Sequence, residues 1–153
     1  MKILLRRDDV DPNKTNGLSQ TPLWLAANNG HGGVVRVLLE RDDVDPDKPN
    51  WYGQTPLCGA AKEGHEGAVG ILLGWDDINP DKPDDNSLTP LLLAASNGHE
   101  GVVKLLLRRG DVNPNKPDNN GDAPFSWAAI NRNAGVIALL RPLTLTPTTH
   151  SAA

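Results

Sequence analysis

Thr21-Pro22-Leu23 returns as Thr55-Pro56-Leu57, as Thr89-Pro90-Leu91 and, altered, as Ala123-Pro124-Phe125, so the steps from 21 to 55, 89 and 123 are all 34 residues. A fixed period constrains architecture before any local reading does, because it implies one small unit stacked on copies of itself. Within each unit the order holds. Thr-Pro-Leu is followed by an Ala pair: Ala26/Ala27, Ala60/Ala61, Ala94/Ala95 and Ala128/Ala129. Three units then carry Gly-His, at Gly30-His31, Gly64-His65 and Gly98-His99, before a Val/Leu block and Asp- and Pro-rich text.

A tetratricopeptide unit has the same period but is helical almost throughout. Pro46, Pro49, Pro80, Pro83, Pro114 and Pro117 fall in the second half of successive units, where such a unit would still need helix. Each unit therefore holds two short helices and a long connector. Thr21 suits an N-cap, and Pro22 suits the first helical position, where its missing N–H would be unpaired anyway. This predicts a first helix from about Pro22 to Asn29. Gly30, Gly64 and Gly98 allow a left-handed exit, and His31, His65 and His99 begin the return. The second helix is expected from about Gly32 to Glu40. Its Val34, Val35, Val37, Leu38 and Leu39 make so wide an apolar face that neighbouring units must cover it.

These motifs resemble those of the ankyrin-repeat family, over about residues 3–141, with three full copies in phase. The Arg-Asp-Asp-Val-Asp-Pro text, with Asn-Gly-His and Val-Val-Lys-Leu-Leu-Leu, is also similar to arrays found in filamentous fungi. The resemblance implies an all-α solenoid of helix-turn-helix units with extended loop fingers. Its layout is an array over 1–141, with a partial unit at 1–20, full units at 21–54, 55–88 and 89–122, and a C-terminal capping unit at 123–141. A disordered tail is expected at 142–153. The family's His after Thr-Pro-Leu is replaced by Trp24, Cys58, Leu92 and Ser126, so its hydrogen bonds between units are in doubt and packing must carry more. Asn131, Arg132, Asn133 and Arg141 fit a polar cap. With little before Arg7, a missing helix should leave Leu23, Leu25 and Val37 partly uncovered, which reads as a fragment or shortened gene product and allows weak self-association of an otherwise monomeric chain at its N-terminal end.

Composition excludes several functions. Fifteen Lys and Arg against 19 Asp and Glu give −4, no attraction for a phosphate backbone, so nucleic acid is not an expected partner. No apolar run approaches the ~18–20 residues that span a bilayer. Cys58 is the single cysteine, and Met1–Arg7 leads straight into acids rather than an apolar signal core, so cytoplasm or nucleus is expected.

Candidate chemistry is sparse. Asp43-Val44-Asp45-Pro46-Asp47 and Asp77-Ile78-Asn79-Pro80-Asp81 imitate half a calcium loop, but Lys48 and Lys82 stand where Gly is needed, and Gln54 and Leu88 where Glu is needed. His31, His65 and His99 should lie about 10 Å apart on stacked units, too far to share a metal, and read as turn residues bonding backbone. Asp85 and Asp122 have no base placed beside them by spacing. Asn13-Lys14-Thr15 spells a glycosylation acceptor without the route that would use it. No catalytic, metal or cofactor residue is assigned. Gly59, Gly70 and Gly74, read as lying within helices, should make the middle unit the softest.

Surface remains. The resemblance implies a concave face of fingertips and first helices that takes an unidentified partner protein. By alignment it comprises Trp51, Tyr52, Gln54, Lys62, Glu63, Asp85, Asn86, Leu88, Ser96, Asn97, Asn119, Asn120 and Asp122. Trp51-Tyr52 has as counterparts Gly17-Leu18, Asp85-Asn86 and Asn119-Asn120, so one tip carries two large rings. Such rings are hot-spot residues if exposed and ordinary packing if they fold onto their own loop. Trp24 and Trp75 break their columns too and read first as packing between units. A small-ligand or catalytic groove near Trp24, Trp51 and Trp127 is the competing reading.

Overall fold

The computed structural model describes residues 10–144. They form helices α1 Pro22–Asn28, α2 Gly32–Leu39, α3 Pro56–Glu63, α4 Glu66–Leu73, α5 Pro90–Asn97, α6 Glu100–Leu107, α7 Pro124–Ile130 and α8 Ala134–Thr144, with no strand among the described residues. The first helices pack in the order α1, α3, α5, α7 and the second in the order α2, α4, α6, α8, so two layers run along one stack. No helix in the described residues is long and apolar enough to cross a membrane.

Each first helix begins as its sequence dictates. The buried hydroxyls of Thr21, Thr55 and Thr89 accept from the N–H groups of Trp24, Cys58 and Leu92 at 3.0, 3.2 and 3.2 Å, each cap contributing about 1 kcal/mol. The exits of α1, α3 and α5 each turn at a glycine that two demands select. Gly30, Gly64 and Gly98 have φ of 72, 78 and 77°, and a Cβ on them would fall 2.6 Å from His65 Nδ1, 2.6 Å from His99 Nδ1 and 2.9 Å from Asn133 Oδ1. His65 and His99 therefore reach back to the preceding unit. His99 Nε2 lies 2.9 Å from the Lys62 carbonyl, and since a carbonyl only accepts, that nitrogen carries the proton. Asn133 replaces the histidine in the last unit and donates to the Ala95 and Ser96 carbonyls at 2.9 Å.

The core repeats with the sequence. Leu57, Leu91, Val35, Val69, Val103, Leu72, Leu106, Val136 and Leu140 are buried with the Ala pairs between the layers, save exposed Ala129, and each enclosed Leu contributes roughly 1.5–3 kcal/mol. Leu23 is buried as well, at 1% exposure, contrary to the expectation that it would be partly uncovered, because it shares the register of Leu57 and Leu91 inside the same cluster. Leu25 is 38% exposed and Val37 half-buried, as expected.

Of the three middle-unit glycines, Gly59 and Gly70 lie within helices as expected and Gly74 does not. Gly74 is the C-cap of α4 and lies outside it. Gly59 is a place of close approach, where a Cβ would stand 3.1 Å from Asn28 Oδ1 and 3.5 Å from Trp24 Cζ2. Gly70 sits exposed in α4 with open space around it, as does Gly67. At the other end α8 runs through Pro142 to Thr144, and Leu143 packs against the core cluster. The remainder of the expected tail, 145–153, and the beginning of the expected partial unit, 1–9, lie outside the described residues.

The Asp- and Lys-rich connectors form a seam along the stack. Asn13 Oδ1, Asp47 Oδ2 and Asp81 Oδ2 accept from the N–H groups of Asp45, Asn79 and Asn113 at 2.8, 2.9 and 2.8 Å. Lys48, Lys82 and Lys116 donate back to the carbonyls of Asn13, Asp47 and Asp81 at 3.1, 3.0 and 2.9 Å. Asp47 and Asp81, the last acids of the two stretches that imitated a calcium loop, thus each turn Oδ2 to a backbone N–H of the next unit.

Candidate functional site

The fingers are built on a column that reading along the chain missed. Asn16, Asn50, Asp84 and Asp118 recur every 34 residues, and the Oδ1 of each accepts from the N–H groups two and four residues on, at 2.9–3.1 Å. The same four residues donate their own N–H to the carbonyls of Gln20, Gln54, Leu88 and Asp122, which closes each loop. Neighbouring tips are laced together. Trp51 N–H donates to the Leu18 carbonyl at 3.0 Å and Asp85 N–H to the Tyr52 carbonyl at 3.1 Å, while Ser87 Oγ donates to Asn119 Oδ1 at 2.6 Å. The tips thus have fixed backbones and outward side chains.

Trp51 and Tyr52 are 68% and 62% exposed, so their rings stand in solvent instead of folding onto their own loop. Asp85, Asn86, Asn119 and Asn120 are exposed at the other tips, and Lys62, Glu63 and Asn97 at the ends of α3 and α5. Gln54, Leu88, Ser96 and Asp122 are half-buried. Of the expected residues, Tyr52, Gln54, Lys62, Glu63 and Asn86 come together around one groove of about 430 Å³, which Trp24 and Asp84 also line. Trp51, Asp85, Leu88, Ser96, Asn97, Asn119, Asn120 and Asp122 do not line it.

The tryptophans of the competing reading do not converge there, since that groove contains Trp24 but neither Trp51 nor Trp127. Trp24 is 5% exposed and donates its indole N–H to the Gln54 carbonyl at 2.9 Å. At this position an indole, instead of an imidazole, therefore bonds the finger that closes its own unit. Gly59 gives that indole its room. In the next unit Cys58 Sγ stands 3.6 Å from the Lys82 carbonyl, and burial pushes the thiol up to about 11, so it stays protonated. Trp127 is half-buried and donates to Asp118 Oδ2 at 3.0 Å. Trp75 packs against the core cluster.

The acids differ in their surroundings. Burial raises the Asp118 carboxyl, but the donors from Asp122, Trp127 and Asn120 outweigh it and hold the group below the usual carboxylate range. Asp47 goes the other way, raised by burial more than the Asn79 N–H lowers it, and its Oδ1 is enclosed without a hydrogen-bond partner, as is Asp81 Oδ1. At the equivalent place Asn13 uses its Nδ2 to donate to the Asp43 carbonyl. Asp85 and Asp122 sit on different fingers. No group of three or more His, Cys, Asp or Glu side chains is placed to hold a metal among the described residues.

The sequence profile of one family, described as "Ankyrin repeats (3 copies)", matches residues 1–84 and again residues 76–148. No curated protein matches the chain.

Proposed function

Because the chain belongs to the ankyrin-repeat family, whose arrays are generally protein–protein interaction modules, we propose that it is a non-catalytic module that takes a partner protein on its concave face of fingertips and first helices. The observation that carries this reading is the pair of solvent-standing rings, Trp51 and Tyr52, on a finger whose backbone is held by both neighbours. Exposed aromatic rings are the side chains that contribute most when a partner covers them, and a fixed backbone lowers the ordering cost of binding. Trp24 and Trp127 have their indole N–H groups engaged within the fold, which favours a surface over a ligand groove. The module acts in the cytoplasm or nucleus, as a monomer, with neither cofactor nor nucleic acid; the net charge of −4 supports the last point.

The test is a pull-down from the native source followed by titration of the recovered protein against the purified chain and its Trp51→Ala, Tyr52→Ala double variant. A loss of about 2 kcal/mol or more, roughly thirtyfold in affinity, is expected for hot-spot rings. Unchanged affinity removes both rings from the site.

A further inference from the structure

The finger row is divided. Residues 16–20 and 50–54 contain no charged side chain and bear the exposed Leu18, Trp51 and Tyr52. Residues 84–88 and 118–122 contain Asp84, Asp85, Asp118 and Asp122 and no Lys or Arg. The backbone is the same in both halves, because Asn16 and Asn50 close their loops through the same Oδ1 contacts that Asp84 and Asp118 make. A neutral amide therefore suffices for the loop, and the carboxylates add charge the shape does not require. Their second oxygens accept from the Gln54 amide and the Trp127 indole, and neither donor is a cation that would cancel the charge. Lys82 and Lys116, two residues before the acidic fingers, direct their ammonium groups to the seam carbonyls of Asp47 and Asp81.

We infer that this face takes an extended, basic peptide segment of its partner, with apolar side chains over Leu18, Trp51 and Tyr52 and Lys or Arg over the acids of the third and fourth fingers. The inference rests on the protein-binding reading above and adds the chemistry of the partner. Opposite charge would draw a basic segment in and reject an acidic one. The spacing follows from geometry: stacked helices lie about 10 Å apart, and an extended chain advances ~3.3 Å per residue. One finger therefore corresponds to about three residues of peptide. A ligand segment should carry its basic residues about three to nine positions from its apolar ones, and Lys or Arg at the near end of the basic stretch can also lie over the Tyr52 ring.

The experiment is selection of a random twelve-residue peptide library on the full chain, on Trp51→Ala, Tyr52→Ala and on Asp85→Lys, Asp122→Lys. Each variant is checked for unchanged unfolding, and Asp85→Asn, Asp122→Asn replaces the reversed pair should that one fail to fold. Peptides of net positive charge with the stated spacing are expected. Their affinity should fall about tenfold or more with either variant pair, and fall again as salt rises from roughly 50 mM to roughly 500 mM. Acidic or uncharged winners, basic winners that bind the charge-reversed chain equally well, or no enrichment at all would overturn the inference. Winners without basic bias that still need Trp51 and Tyr52 overturn the charge assignment and leave the protein-binding reading standing. Winners indifferent to both pairs overturn the two together.

Discussion

Helix α5 starts beneath the Thr89 hydroxyl, leaves through Gly98 and is followed by His99, whereas α7 starts from Ala123 with no side-chain cap, leaves through Arg132 at a φ of 59° and is followed by Asn133. The unit 89–122 and the unit after it nevertheless trace the same path. The last described unit holds its shape through α5 against α7 and α6 against α8, and through Asn131 and Asn133 donating to the Ser96 carbonyl at 2.9 Å. In a stack the stability is a sum of each unit's own terms and those of its contacts with neighbours. The comparison shows the two separated: a unit stripped of its local devices is still shaped by the unit beside it, at a cost in its own stability.

The largest test of this contrast is truncation of the core in each unit. Leu106→Ala is expected to cost about 2–5 kcal/mol and Leu140→Ala an amount near the lower end. Both side chains are fully buried, but α6 packs on both α4 and α8. Urea unfolding measures both, and equal losses would show the last unit to be held as firmly as its neighbour. Next, Ala123→Thr should supply the missing cap and gain about 1 kcal/mol, while Thr89→Ala loses about as much. A helix start already satisfied by other contacts would show no gain. Arg132→Gly is expected to gain somewhat less than ~1 kcal/mol, since relief of the left-handed backbone is partly offset by a more flexible unfolded chain. The reciprocal Gly98→Ala should destabilise, because its Cβ would meet Asn133.

The smallest effect is one of pH. The folded Asp118 carboxyl lies below its ordinary value of 3.8, so its contribution to stability is fully present above that value and is lost as pH falls through the lower, folded one. Unfolding of the last unit, followed by Trp127 fluorescence from roughly pH 5 to roughly pH 2, should show this step, and Asp118→Asn should remove it. A step unaltered in that variant assigns the acid sensitivity elsewhere.

Much of the fold was legible because its determinants are local. Thr-Pro starts a helix, Gly ends it, and Pro-rich text forbids another, each within a few residues of where it acts. The tip was legible as a departure, since Trp51 and Tyr52 break their own column, but whether the rings stood free or folded onto their loop depended on packing that the sequence does not state. The contacts between units were not. His99 meets Lys62 and Lys82 meets Asp47 across 37 and 35 residues, and reading along the chain does not pair them. Gly59 looked like a soft spot because the ring that needs its space belongs to the unit before it. The columns at 16, 50, 84 and 118 and at 48, 82 and 116 were present as periodic text, but their meaning depends on which atom faces which neighbour. Gly70 lies within α4, and the softness expected of the middle unit is a matter for hydrogen exchange: protection across 56–74 equal to that across 90–107 would end the idea.

The seam has a consequence for how such a chain lengthens. Every clasp joins a lysine to a carbonyl 35 residues earlier and a backbone N–H to a side chain 32 residues earlier. A duplicated 34-residue block therefore meets its own copy with both halves of the fastening already in place. Gene duplication can extend the array in whole steps without inventing a new junction, while an insertion of any other length would leave one half of a clasp with nothing to grip.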